Sequence, residues 1–126
     1  MKLRTIAALF ALSAPGIASA QTQEFTAYDW ATLPKYCDAR LRGDEASKNL
    51  WSDRIGQEHF IHVHHFCFGL HYLNKAKFTF DKRKKNEAIE QAIKQFDYVI
   101  QRWQPSSTFR ADAIRYQQQA RSMRMP

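Results

Sequence analysis

The sequence has 126 residues, with 19 Lys and Arg against 12 Asp and Glu for a formal charge of +7. That length suits one modest hydrophobic core and not two. With 44% hydrophobic and 25% charged residues, four Gly and four Pro, the composition excludes disordered, collagenous and low-complexity chains. Two cysteines are too few for a disulfide-scaffolded miniprotein. The sequence contains no glycine-rich phosphate loop, nucleophile elbow, H-E-x-x-H or C-x-x-C.

Residues 1–20 have the form of a secretory signal peptide. Lys2 and Arg4 make a basic start, residues 6–12 are an uncharged apolar stretch, and Ala18-Ser19-Ala20 places small residues at the −3 and −1 positions. Residues 5–12 are apolar all round, so an ordinary amphipathic helix does not fit. A membrane span needs about 17–25 apolar residues, and this stretch is far shorter. Cleavage near Ala20 therefore predicts a periplasmic or secreted protein without a membrane anchor, its mature part a single helical domain over residues 21–126. That address argues against nucleic acid as partner despite the basic balance. The one basic cluster is Lys82, Arg83, Lys84 and Lys85, between two helical patterns. It reads as a solvated loop, or as a surface that docks onto acidic groups.

Residues 21–31 show no period and read as an extended lead-in. Thr32 then offers an N-cap ahead of Pro34, and a short helix runs to Arg42 and stops at Gly43. Asp44 or Ser47 caps the next piece, in which Leu50, Trp51 and Ile55 share a face and which Gly56 interrupts. From Glu58 to about Phe78 comes the longest apolar segment, with Val63, Phe66, Cys67, Leu70, Leu73 and Asn74 on one stripe. A helix apolar on most sides is expected to be central and buried. Over residues 86–104, Ala88, Ile89, Ala92, Ile93, Phe96, Val99, Ile100 and Trp103 recur at three- and four-residue steps. Pro105 ends that helix, and Ser106, Ser107 or Thr108 caps a last one carrying Ala113, Ile114, Ala120 and Met123. Trp51 and Trp103 read as core, whereas Tyr28 and Trp30 read as candidates for an exposed contact. No strand alternation is sustained, so the fold class is all-α, with helices in antiparallel succession.

Leu33-Pro34-x-Tyr36-Cys37, His64-His65-Phe66-Cys67-Phe68-Gly69-Leu70 with Tyr72-Leu73-Asn74-x-Ala76, and Phe96-Asp97-Tyr98-Val99-Ile100 together resemble a family of exported bacterial tetratricopeptide-like proteins. Gly69 and Tyr72 are similar to the glycine and tyrosine of a tetratricopeptide first helix, and Glu87-Ala88-Ile89 to its second. The resemblance implies antiparallel helical hairpins and one repeat, with residues 77–86 an insertion that departs from the 34-residue period. It implies no settled activity and no cofactor; tetratricopeptide repeats in general bind proteins.

All five histidines, His59, His62, His64, His65 and His71, fall in one short segment. His64, Cys67 and His71 share one side of a helix, and thiolate with imidazole suits zinc or cuprous copper, with Cys37 completing four ligands. The bland alternative makes these histidines hydrogen-bonded members of a buried helix. In an oxidising compartment a Cys37–Cys67 disulfide is the better use of the cysteines, with free thiols and metal ligation as alternatives. No partnered nucleophile is visible, so a small secreted enzyme ranks behind two other classes. The first is a non-catalytic scaffold that binds another envelope protein or a second copy of itself, through residues 82–85 and Ile114. The second is a periplasmic metal-binding protein using His64, Cys67, His71 and Cys37.

Overall fold

The computed structural model describes residues 24–126, so the expected leader lies outside the described residues. Seven helices and no strand are found among them: α1 (Ala27–Thr32), α2 (Lys35–Arg42), α3 (Glu45–Ile55), α4 (Gln57–Phe60), α5 (Val63–Lys77), α6 (Lys82–Arg102) and α7 (Thr108–Ser122). The all-α expectation holds. Among these elements, no helix is long and apolar enough to cross a membrane.

The lead-in is helical, which the sequence reading did not anticipate. Thr26 caps α1 in a reciprocal box with Asp29: the Asp29 N–H donates to Thr26 Oγ1 at 3.2 Å, and the Thr26 N–H donates to Asp29 Oδ2 at 2.9 Å. Thr32 therefore ends α1 and does not start α2, and its hydroxyl donates to the Tyr28 carbonyl. Gly43 does end α2, through a close approach: a Cβ there would stand 2.5 Å from the Ala39 carbonyl oxygen. Asp44 caps α3 by accepting from the Ser47 N–H at 2.8 Å. Helix α3 buries no residue completely. Leu50 is exposed and Trp51 only half-buried, so of their expected shared face Ile55 alone packs against the core. Gly56, at φ +89°, adopts a backbone that favours glycine and separates α3 from α4.

The long apolar segment divides at residues 61–62, leaving α4 as a single turn ahead of α5. Helix α5 is the centre of the molecule. Val63, Phe66, Cys67, Phe68, Leu70, Leu73 and Ala76 are buried around most of its circumference. Helix α6 packs along α5 as the second arm of a hairpin, and α7 packs along α6 and also touches α5 through Tyr116 and Phe66. The α6–α7 pair is antiparallel: Arg110 donates to the Ile100 carbonyl near one end, and Asn86 bonds the Met125 backbone at the other. Of the apolar positions read from α6 all are buried except Ile100, which is half-buried, with Trp103 closing the far end.

Residues 82–85 are not a loop. Asp81 accepts from the Lys84 N–H at 2.9 Å and caps α6, so the four basic residues form its first turn. The supposed insertion shrinks to the connection over residues 78–81.

The α5–α6 approach depends on one missing side chain. A Cβ at Gly69 would stand 2.6 Å from the Phe96 ring, well inside contact distance. Phe96 is itself fully buried between Phe66 and Tyr116 and cannot withdraw without opening the core. Gly69→Leu should therefore destabilise the protein by about 1–3 kcal/mol through overpacking. Thermal unfolding should show a fall of at least about 4 °C, and an unchanged midpoint would place the glycine outside the contact.

Candidate functional site

The histidines of the α4–α5 segment have separate tasks. His59 donates from Nδ1 to the Ile55 carbonyl at 2.7 Å, which leaves Nε2 to accept from the Ser107 hydroxyl, also at 2.7 Å. Since Ser107 also caps α7, this histidine ties the end of α3 to the start of the last helix. His65 bonds Gln95 Oε1 through Nδ1 at 2.7 Å and stacks on Tyr98. His62 meets the Tyr98 hydroxyl at 3.3 Å. His64 is different: its Nδ1 is buried with no hydrogen-bond partner. Burial, and then the charges of His65, Arg40 and His62, push its pKa down to about 4. At neutral pH it is an uncharged ring.

The four-ligand metal arrangement is not assembled. Cys37 and Cys67 lie at disulfide distance, with Cα atoms 5.7 Å apart, and neither is a free thiol. His64 and His71 stand seven residues apart, roughly 10 Å along the helix axis, and His71 turns toward α1. Among the described residues, no three His, Cys, Asp or Glu side chains are placed to hold one metal ion.

His71 belongs instead to a buried polar network that the sequence reading missed. Its Nδ1–H donates to Asp29 Oδ2 at 2.8 Å, and Asn74 Nδ2 donates to Asp29 Oδ1 at 2.9 Å. Asp29 is only 2% exposed and His71 3%. Burial raises the carboxyl pKa, but the hydrogen bonds from Asn74, the Thr26 backbone and His71, with the imidazole's charge, outweigh it and hold Asp29 below its usual range. One carboxylate thus caps α1 and fastens that helix to α5. His71 Nε2 is buried without a hydrogen bond, 3.9 Å from Glu24 Oε2, and the ring stacks on Phe25. A cavity of about 210 Å³, lined in part by Glu24, Tyr28 and Lys75, opens beside this pair. The threonine hydroxyls of this lining are already engaged. Thr26 bonds Asp29, and Thr79 donates to the Lys75 carbonyl. The only sequence signal for this network was the three-residue Thr26-to-Asp29 spacing, a capping-box pattern.

The remaining candidates, residues 82–85 and Ile114, do not form one surface. Because α7 runs back along α6, half-buried Ile114 lies beside the middle of α6, roughly 18 Å along the axis from its basic first turn. Shortly before the basic turn in the chain stand Phe78 and Phe80, both exposed. Compared with protein-family models, with curated proteins and with solved structures, the chain matches none of them.

Two expectations follow from this geometry. Alkylation of the oxidised protein without reductant should add no label to its intact mass, and two labels would contradict the pairing of Cys37 with Cys67. Reduction should cost about 3.5 kcal/mol in a denaturant titration, the chain-entropy value for opening a loop of this size, whose two cysteines stand 30 residues apart.

The second expectation concerns acid. Below the unfolded His64 value of about 6.5, the unfolded chain binds a proton that the folded one refuses. Stability should therefore fall as pH drops from about 6.5, and this loss should level off near 4, where the folded imidazole titrates. His64→Gln should make the fall in unfolding midpoint over that range shallower. Equal slopes for variant and parent would remove His64 from the account.

Proposed function

We propose that this chain is an exported, non-catalytic helical scaffold that binds another envelope protein or a second copy of itself. Its α5–α6 pair, crossing closely at Gly69, serves as one tetratricopeptide-like hairpin, and α7 begins a further layer whose Ile114 flank the described residues leave half open. The observation that carries this reading is the asymmetry of α7. It buries only Ala113 and Ala120, while Ile114 stays half-buried and outside the core. In stacked helical hairpins each layer covers the flank of the one before it, so an uncovered flank is where the next layer or a partner adds. The paired cysteines support an oxidising address, since such bonds persist outside the reducing cytosol.

The test places a photo-crosslinking residue at position 114 in the purified, oxidised protein, incubated alone and with envelope extract. A discrete adduct is expected, competed away by unlabelled parent protein and not by Ile114→Asp. A chain that sediments as a strict monomer and yields no competable adduct would overturn the scaffold reading.

A further inference from the structure

The turn between α5 and α6 concentrates features that the core does not use. Six of the chain's 19 Lys and Arg lie within residues 75–85, against one of its 12 acids. That single acid, Asp81, is engaged in capping α6. Lys75 pairs with Glu24 and Arg83 with Glu87, whereas Lys77, Lys82, Lys84 and Lys85 make no ion pair among the described residues, and all but Lys85 are exposed. At the apex of this cationic collar Phe80 is 94% exposed and Phe78 62% exposed. The turn is built to hold these rings outward. The Phe78 ring packs edge-on against Tyr28 at 5.0 Å, Thr79 Oγ1 donates to the Lys75 carbonyl at 2.6 Å, and Asp81 fixes the start of α6.

From this combination we infer that the α5–α6 tip is a docking surface for an anionic phospholipid bilayer. The tip lies where two antiparallel helices meet, and Phe80 is the most exposed large apolar side chain among the described residues. A protein partner would need a deep apolar socket with an acidic rim to receive it. A bilayer supplies both without shape matching: acyl-chain surface about 5–10 Å below the headgroups accepts the rings, and anionic headgroups accept the lysines around them. Long lysine stems can lie along that boundary while their ammonium groups stay in the polar layer. Contact at this end holds the α5–α6 hairpin end-on and leaves the Ile114 flank of α7 free, so the inference does not depend on the scaffold reading.

The experiment is co-sedimentation of the purified, oxidised protein with vesicles of phosphatidylcholine alone and of phosphatidylcholine with an equal amount of phosphatidylglycerol. Binding is expected only to the anionic vesicles, and it should weaken as salt shortens the screening length. Phe80→Ser should lower affinity about tenfold, because it removes an apolar side chain from the contact. Lys82→Ala with Lys84→Ala should lower it about 30-fold, each charge counting for about fivefold. All three positions are exposed, so unfolding midpoints should match the parent. Arg54→Ala with Lys94→Ala, which removes the same charge from exposed sites elsewhere, should leave binding within about twofold of the parent, in contrast to the loss at the tip. Equal binding to neutral vesicles, undiminished binding of Phe80→Ser, or an equal loss in the control pair would each overturn the proposal. So would capture on polyglutamate beads with no binding to vesicles, which would make the tip a site for an acidic protein.

Discussion

Phe96 fills the space where any other residue at position 69 would carry a side chain. That contact sets how near α6 comes to α5, and most of the architecture follows from it. With the two helices this close, one face of α5 is consumed by the hairpin, and its opposite side still carries Cys67, Phe68 and His71. An apolar helix cannot leave that second side in water without losing the burial that makes it a core element. The segment before it must therefore fold back over α5.

Two bonds of different chemistry hold that segment in place. The Cys37–Cys67 pair joins α2 to α5, and the Asp29 network joins α1 to the same helix further along. The disulfide acts chiefly on the unfolded chain by shortening its accessible loop. The Asp29 network acts on the folded state, where the buried carboxylate accepts from the Thr26 backbone, Asn74 and His71. Replacing any one partner would strand the charge of another, which costs far more than a surface ion pair returns. This explains why a histidine tolerates near-complete burial on a helix that is otherwise apolar.

The sequence disclosed those parts of the fold in which side-chain period and burial coincide. Helix α6 was legible because its apolar residues recur at three- and four-residue steps across five turns. Gly69 stood out only through its similarity to the glycine of a tetratricopeptide first helix, and the fold supplies the reason, the Phe96 ring against it. Helix α1 was not, since six residues give no period and its cap is a box of two side chains, one of which, Asp29, also serves a distant helix. The division at residues 61–62 was hidden because Ile61 continues the apolar run while standing exposed. Residues 82–85 read as a solvated loop or a docking surface from their charge, although lysine and arginine are good helix formers and Asp81 stands ready as a cap. For the histidines, shared helical sides were visible, but the partners lay on other elements. A cluster in sequence became separate hydrogen-bonding positions in space.

The basic first turn of α6 is the place where local physics and the fold disagree. The N-terminus of a helix carries the positive end of the macrodipole, where acids are stabilising and cations are not. This helix has no acidic residue in its first turn and opens with four consecutive basic residues. Each misplaced charge costs about 0.3–1 kcal/mol near the end of the dipole at low ionic strength. Like charges crowded on one turn add mutual repulsion. An exposed phenylalanine two residues before the first of them gains nothing from the core either. Alanine or glutamate at these positions would give a more stable helix of the same length. Natural sequences are locally consistent except where another requirement intervenes, and such exceptions gather at functional positions. At the α5–α6 tip apolar exposure, unpaired charge and an unfavourable helix dipole coincide. An anionic counter-surface removes all three costs together. It neutralises the lysines, shields the dipole and takes up the rings.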